Sequence, residues 1–216
     1  MDHDDRTENL YAQRASLYER FFVHFLGWDK ELENFFRRSN YLRPAMKILD
    51  VGCGTGIVTR TLYQLATAKG YAKIEWHAFD FSPNMLNIFC QWIERHDAKN
   101  IETQQANVLA VETLPLHWNE YDLIIVSMML EYLPKSRVKE ALAKLLRLLD
   151  EGGILLVFIT KQNSITQLLA RVWWKTNLFE QREISNLLFD AGFKYAEFKS
   201  LSAGWSNSIM AAEARR

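Results

Sequence analysis

A glycine-rich turn between an apolar segment and a helix-like segment constrains this chain most. Residues 47–59 read KILDVGCGTGIVT, where residues 48–51 predict a strand and the pattern from residue 57 predicts a helix. Glycines at 52, 54 and 56 can adopt backbone angles closed to other residues and leave room for a ligand beside the main chain. The free N–H groups at the helix start would face that ligand. The alternative at this point is a tight turn without a ligand.

Length and composition indicate one α/β domain spanning residues 1–216. Hydrophobic residues make up 49% of the 216, enough to cover both faces of a buried sheet. The 26 basic residues balance 26 acidic ones, so no net field favours nucleic acid. Cys53 and Cys90 form no C-x-x-C pair, which argues against a disulfide scaffold and a structural zinc site. We predict no metal site.

The sequence shows neither a secretory signal nor a transmembrane segment. The opening MDHDDRTENL is acidic and polar, whereas a signal peptide is basic and then apolar. The longest apolar runs are far too short to cross a bilayer. We therefore expect a cytoplasmic protein; peripheral membrane contact stays open, and the oligomeric state is not predicted.

Strands and helices alternate after the glycine turn. Helices are predicted at residues 57–68, 83–95, 135–149 and 181–191, and strands at 73–79, 101–106, 121–128, 154–160, 194–201 and 207–214. Glycines within residues 150–153 are expected to form a left-handed cap on the third of these helices. The connection at residues 202–206 is too short for a crossover, so the last two strands should be antiparallel. The prediction is a Rossmann-like, seven-stranded, mostly parallel sheet with an antiparallel last strand and helices on both faces.

Two helical segments interrupt this alternation. Residues 9–28 have helical apolar spacing, and a second helix is predicted at residues 29–38, so residues 1–44 are interpreted as an N-terminal helical lid. Residues 161–176 are interpreted as a helix inserted after the fifth strand, where insertions usually shape binding pockets. The alternative is that both segments only cover the sheet.

Polar side chains follow several predicted strands at their carboxyl ends, where ligands bind in an open α/β sheet. Asp80 follows the second strand, 24 residues after Gly56, and a carboxylate there can accept hydrogen bonds from both ribose hydroxyls of a nucleoside. The alternative is an ordinary loop aspartate. Asn107 follows the third strand, and residues 127–132 follow the fourth.

These motifs together resemble the class I S-adenosylmethionine-dependent methyltransferases. The similarity runs from about residue 46 to the end, through DVGCGTG, AFDFSPNML, ANVLAVETLP, YDLIIVSMMLEYLP and LLRLLDEGGILLVF. The resemblance implies that S-adenosylmethionine is the cofactor and that Asp80 holds its ribose. It also implies the remaining cofactor contacts: Asp50, Gly52, Cys53, Gly54, Thr55 and Gly56 at the methionine end, Phe81 and Met85 beside the adenine, and Asn107, Val108 and Ser127. Asn107 departs from the family's usual Asp, although its carbonyl can accept the same bond from the adenine amino group.

The chemistry expected of such a site is an in-line displacement at an activated methyl group, catalysed mainly by alignment. A hydroxyl or carbon acceptor also gains from a general base. Glu131 is the candidate base, and the alternative is a carboxylate that only stabilises a helix start. Predicted substrate contacts are Tyr11, Arg14 and Tyr18 on one helical face, with Met128, Tyr132 and Trp173.

A small-molecule acceptor is favoured, with a lipidic or aromatic one as the leading expectation. Residues 127–130 read SMML, which lacks the Asp/Asn-Pro-Pro-aromatic motif of amino-purine and glutamine methyltransferases. Only Glu131 stands where arginine methyltransferases carry two glutamates. The segment YAQRASLYERFF is similar to the opening helix of ubiquinone, menaquinone and phospholipid methyltransferases. Alternatives are a nicotinamide-dependent oxidoreductase and a noncatalytic nucleoside-binding subunit with the same fold.

Overall fold

A seven-stranded sheet organises the chain, and the computed structural model describes residues 27–163 and 177–216. We number the described elements in chain order. The helices are α1 (Trp28–Arg38), α2 (Ile57–Ala68), α3 (Pro83–Arg95), α4 (Lys135–Leu148) and α5 (Gln181–Asp190), with 3₁₀ turns at Val108–Thr113 and Leu130–Tyr132. The strands are β1 (Lys47–Val51), β2 (Glu75–Asp80), β3 (Ile101–Gln105), β4 (Tyr121–Ser127), β5 (Leu149–Thr160), β6 (Tyr195–Lys199) and β7 (Ile209–Arg215).

The strand order is β3-β2-β1-β4-β5-β7-β6. Strands β1 to β5 pair in parallel, and β7 runs antiparallel to both β5 and β6. This arrangement confirms the predicted sheet and its antiparallel last strand. The order reverses between β1 and β4, and the carboxyl ends at such a reversal form the crevice where α/β sheets bind ligands.

Alternate residues of the central strands supply two apolar cores, one on each face of the sheet. Ile48 packs with buried side chains of α1, α2 and α3, whereas its neighbour Leu49 packs with those of α4 and α5. The alternation follows from the two-residue period of a strand. Helices therefore cover both faces, as predicted, and the central strands are buried from both sides.

Helix α1 belongs to the first of these cores. Its Trp28 is 2% exposed and packs edge-on against Phe158 of β5, with ring centroids 5.6 Å apart, and against Trp205 at 5.0 Å. This described part of the segment interpreted as a lid therefore packs on the sheet. Residues 1–26 lie outside the described residues, as do residues 164–176 of the inserted helix, so both assignments stay predictions.

The start of α3 follows from local sequence chemistry. The Ser82 side chain accepts a hydrogen bond from the Met85 N–H at 3.4 Å, and Pro83 occupies the first helical position. A serine cap satisfies a free helical N–H, and proline loses nothing where no intrahelical bond is due. Cap and proline together fix the start of the helix, so Phe81 lies in the short turn directly after Asp80, the last residue of β2.

The glycine cap predicted for α4 is wrong. The helix ends at Leu148, and Leu149 adopts the extended angles φ −74° and ψ 141° as the first residue of β5. Neither Gly152 nor Gly153 adopts a positive φ. A Cβ on Gly153 would lie 2.5 Å from the Tyr121 carbonyl oxygen, so this glycine permits a close approach between β5 and β4.

Among residues 27–163 and 177–216, no helix combines the length and the apolarity needed to cross a bilayer.

Candidate functional site

The three glycines of the turn after β1 all adopt left-handed angles, with φ of 65° at Gly52, 55° at Gly54 and 82° at Gly56. Side chains fill the space beside two of them. A Cβ on Gly52 would lie 2.3 Å from Cγ of Met129, and one on Gly56 would lie 2.2 Å from the Phe89 ring. Apart from Gly54 itself and its chain neighbours Cys53 and Thr55, no described residue has a heavy atom within 4 Å of a Cβ placed on Gly54. Among these three glycines, it is Gly54 beside which the described residues leave space for a ligand.

Asp80 joins the ends of β1 and β2. One carboxylate oxygen accepts the Gly54 N–H at 2.8 Å, and the other accepts the Ser82 N–H at 2.8 Å. Burial raises the pKa of the Asp80 carboxyl, and these backbone donors oppose that rise. Each oxygen has a second lone pair, so the carboxylate can still accept hydroxyl donors from a ligand above the turn. The geometry suits the ribose contact implied by the sequence.

Asp50 lies on β1 directly before the glycine turn and is 2% exposed. Its Oδ2 accepts hydrogen bonds from the Thr59 hydroxyl at 2.6 Å and the Thr59 N–H at 3.1 Å. Its Oδ1 has no hydrogen-bond partner among the described residues. Burial raises the pKa of Asp50 to about 7. A buried carboxylate with an unpaired oxygen is suited to a cationic group, such as the ammonium of a bound amino acid.

Residues after β2 and β3 form a second part of the site. Phe81 is 44% exposed, whereas Met85 is buried at the start of α3 and Val108 is buried at the start of the first 3₁₀ turn. The Asn107 side-chain oxygen accepts the Leu109 N–H at 2.9 Å, which caps this turn. An exposed aromatic ring can receive a flat heterocycle.

Glu131 is 3% exposed in the 3₁₀ turn after β4. Its Oε1 accepts the Thr160 hydroxyl at 2.8 Å, and its Oε2 has no hydrogen-bond partner within the described ranges. Burial raises the pKa of the Glu131 carboxyl to about 7, while the bond from Thr160 lowers it. The carboxyl therefore titrates near neutral pH, as a general base requires.

Residues at both ends of the inserted segment bond to the turn that carries Glu131, Thr160 to the Glu131 side chain and Asn177 to the main chain. The Asn177 N–H donates to the Glu131 carbonyl oxygen at 2.9 Å, and the Asn177 side chain donates to the Leu133 carbonyl oxygen at 2.7 Å. Thr160 directly precedes the insertion, and Asn177 directly follows it. The insertion therefore begins and ends next to Glu131.

The turn after β4 is strained as well as buried. Met128 adopts a φ of 52°, and its N–H donates to the Phe158 carbonyl oxygen at 2.8 Å. Left-handed angles at a residue with a side chain cost about 1 to 2 kcal/mol, and such strain clusters at functional sites. Met129, which follows the strained Met128, packs against Gly52. Ser127 and Tyr132, on either side of these residues in the chain, are half-buried.

Cys53 and Thr55 complete the glycine turn. Both are buried, and burial raises the pKa of the Cys53 thiol well above its ordinary value, so the thiol stays protonated at neutral pH. A buried and protonated thiol makes Cys53 a packing residue of the turn and not a nucleophile. The predicted substrate contacts Tyr11, Arg14, Tyr18 and Trp173 lie outside the described residues.

Sequence reasoning missed three side chains of this region: Thr59, Met129 and Thr160. Thr160 ends β5, so the rule that placed Asp80 at a strand end also points to it. Met129 and Thr59 carry no comparable signal, because their contacts with Gly52 and Asp50 depend on the folded turn.

Comparisons with known proteins agree with this geometry. Residues 48–153 match the family model described as a methyltransferase domain. The chain is 30% identical to the ubiquinone/menaquinone biosynthesis C-methyltransferase of Shewanella piezotolerans over 136 residues, covering 62% of this chain and 51% of the relative. It is 29% identical to the malonyl-[acyl-carrier protein] O-methyltransferase of Anoxybacillus flavithermus over 149 residues, covering 69% and 50%. The chain thus spans about half the length of these relatives.

The solved structure of the DhpI–SAM–HEP complex shares the fold. It superposes with a TM-score of 0.71 at 17% sequence identity and covers 100% of both chains. Motif order, strand order and the family match agree with one another. Residues 48–153 therefore belong to a methyltransferase domain, and the fold and the motif order agree with those of the class I S-adenosylmethionine-dependent methyltransferases.

Proposed function

We propose that this protein binds S-adenosylmethionine at the carboxyl ends of β1, β2 and β3 and transfers its methyl group to a small-molecule acceptor. The observation that carries the proposal is the glycine turn, where Gly54 leaves an open approach and Asp80 accepts its N–H at 2.8 Å. The residues suit the cofactor: the Asp80 carboxylate for the ribose, the Asp50 oxygen that has no partner among the described residues for the ammonium, and the exposed Phe81 ring for the adenine.

When bound, the cofactor supplies a methyl group already activated by its sulfonium. The protein's task is to align an acceptor lone pair with that methyl carbon, and such alignment supplies most of the rate. Bound at this site, the cofactor would supply the methyl group to the acceptor and would leave as S-adenosylhomocysteine. A hydroxyl or carbon acceptor also releases a proton, and Glu131 is the group we propose to take it. Its burial, its pKa of about 7 and an Oε2 without a hydrogen-bond partner among the described residues support this role.

Binding calorimetry tests the cofactor. We expect the full chain to bind S-adenosylmethionine and S-adenosylhomocysteine and to leave NAD unbound. Binding of NAD alone would favour the oxidoreductase alternative. Binding of S-adenosylmethionine without turnover on any acceptor would favour a noncatalytic subunit.

Gly54→Val is expected to weaken S-adenosylmethionine binding more than about tenfold, because its side chain would occupy the open space beside the turn. Gly54→Ala should weaken binding less, although both variants carry the cost of φ 55°, about 1 to 2 kcal/mol. Calorimetry measures affinity, and thermal unfolding measures the backbone cost separately. Gly56→Ala is the control for damage to packing, because its methyl group would meet the Phe89 ring and not the open space beside Gly54. Equal affinity in both Gly54 variants and the parent would place the cofactor elsewhere.

Replacement of Asn107 separates the cap from the adenine contact. An aspartate side chain at this position would keep an oxygen for the Leu109 N–H and present a second acceptor to the adenine amino group, so Asn107→Asp is expected to preserve or tighten cofactor binding. Asn107→Leu removes both functions. It should weaken binding and lower the free energy of unfolding by about 0.5 to 2 kcal/mol. Calorimetry that shows one affinity for all three proteins would mean that adenine is not bound at this side chain.

For the acceptor we propose a lipidic or aromatic small molecule. The short similarity of residues 11–22 to quinone and phospholipid methyltransferases supports this class, as does the relative named for ubiquinone and menaquinone biosynthesis. Met128, half-buried and packed against the apolar core at the end of β4, would contact such an acceptor together with Tyr132. Release of S-adenosylhomocysteine in a panel of quinols, phenols and phospholipids, with polar amines as controls, tests the class.

Removal of residues 1–26 tests the lid. Because Trp28 is buried in the core, the shortened chain should begin at Gly27 and keep all of α1. We expect it to fold and bind S-adenosylmethionine, while transfer to an acceptor is lost because Tyr11, Arg14 and Tyr18 are missing. Circular dichroism, calorimetry and turnover measure the three properties. Full turnover by the shortened chain would remove the segment from the mechanism, and failure to fold would assign it to the core.

A further inference from the structure

Two histidines and a glutamate meet on the sheet away from the cofactor site. We propose that His77, Glu102 and His117, here called the His77 cluster, bind one divalent zinc ion that links three separate segments of the chain. His77 belongs to β2, Glu102 to β3, and His117 to the loop before β4. Their ligand atoms lie within 4.8 Å of one another.

The distances require only small movements to hold a metal. Glu102 Oε2 lies 3.1 Å from His117 Nε2 and 3.9 Å from His77 Nε2. Ligand atoms around a tetrahedral zinc, each about 2.1 Å from the ion, are about 3.4 Å apart. Glu102 is 56% exposed and His117 is 61% exposed, so these two side chains can adjust around the buried His77. Two imidazoles and one carboxylate form a ligand set that zinc accepts, with water completing the shell.

Neighbouring groups already orient the proposed ligands. The Tyr121 hydroxyl lies 2.8 Å from His77 Nδ1, which leaves Nε2 directed toward Glu102. The Trp118 indole N–H donates to Glu102 Oε2 at 3.3 Å, and the Trp118 ring stacks on His77 with centroids 4.5 Å apart. Partners of this kind fix the ring orientation of metal-binding histidines and raise metal affinity.

The location separates the proposed ion from the cofactor site. The strands of this region run parallel, so the loop before β4 lies at the amino ends of the strands. Asp80 and Glu131 lie at the opposite, carboxyl ends, where the cofactor site is. An ion that binds only the folded chain stabilises it by mass action. We therefore expect zinc to raise the melting temperature without changing the affinity for S-adenosylmethionine.

Zinc titration of the full, metal-free chain in competition with a chromophoric chelator tests the proposal. His117→Gln and Glu102→Gln should each weaken zinc binding by at least about tenfold. His96→Gln is the matched control, since His96 is an exposed histidine bonded to the Trp92 carbonyl oxygen on α3. Every variant keeps His3 and His24, so zinc bound by those residues is common to all. Equal zinc affinity in parent, His117→Gln and Glu102→Gln, or no binding by the parent, would overturn the site.

Cobalt provides a second readout that does not depend on stability. The parent and His96→Gln are expected to give the intense visible absorption of tetrahedral cobalt, and His117→Gln is expected to lose it. Zinc should also raise the melting temperature of the parent but not of His117→Gln. A cobalt spectrum that is unchanged in His117→Gln would assign the ion to other residues.

Discussion

Asp80→Ala is expected to weaken S-adenosylmethionine binding by more than about tenfold. The variant lacks the carboxylate and so loses its charge-assisted bonds to the ribose hydroxyls, each worth about 1.5 to 3 kcal/mol. A difference of about 1.4 kcal/mol corresponds to a tenfold change in affinity. The variant also loses the acceptor of the Gly54 and Ser82 N–H groups, so the two turns are no longer joined. Calorimetry of parent and variant measures the effect.

Two further variants separate these contributions. Asp80→Asn keeps one carbonyl oxygen as acceptor and should bind with intermediate affinity. Asp190→Ala is the control, because Asp190 is exposed at the end of α5, and its affinity should equal that of the parent. Circular dichroism establishes that each variant is folded. If Asp80→Ala binds as tightly as Asp190→Ala, the ribose is not held by this carboxylate.

Glu131→Gln is expected to lower the turnover rate by about a hundredfold or more for a hydroxyl or carbon acceptor, since general bases contribute about 10² to 10⁴. Cofactor affinity should stay unchanged, because the amide keeps the size and the acceptor for the Thr160 hydroxyl. Glu151→Gln, on an exposed residue of β5, is the matched control. Unchanged turnover in Glu131→Gln would remove this residue from the chemistry.

The pH dependence supplies a second test. A base with a pKa of about 7 is ionised above that value, so the turnover rate should rise as pH increases through about 7. The hydrogen bond from Thr160 lowers the pKa of Glu131. Thr160→Val, which removes this bond at nearly constant size, should therefore move the rise to higher pH. A profile that stays in place would show that another group controls the rate.

The turnover rate should rise with pH, whereas the contribution of Glu131 to the free energy of unfolding should fall. The folded-state pKa of Glu131 is raised from 4.5 to about 7, so the folded chain binds the proton more tightly than the unfolded chain does. The contribution to the free energy of unfolding is present below pH 4.5 and is lost as pH rises through about 7. Glu131→Gln should accordingly melt at a higher temperature than the parent above pH 7, where the parent buries a charged carboxylate. Thermal unfolding at about pH 5 and about pH 8, on either side of this pKa, measures the difference.

Local sequence determined the elements and their order. Predicted bounds match the structure for α2 at residues 57–68 and for α3 at residues 83–95, because the glycine turn, serine cap and proline act within a few residues. The alternation of strands and helices also predicted the sheet, since parallel strands require crossovers and a short connection requires antiparallel pairing. The placement of Asp80 and Glu131 at strand ends followed from the same pattern.

Contacts between distant residues were decided by the tertiary structure alone. The bond between Asp80 and the Gly54 N–H joins residues 26 apart, and Glu131 Oε2 is buried with no hydrogen-bond partner among the described residues. Gly153 was misread as a helix cap because its physical role is a close approach to the Tyr121 carbonyl oxygen, 32 residues away in sequence. Periodicity and caps report on neighbours along the chain. Burial, and the pKa shifts that it causes, depends on every segment packed around a group.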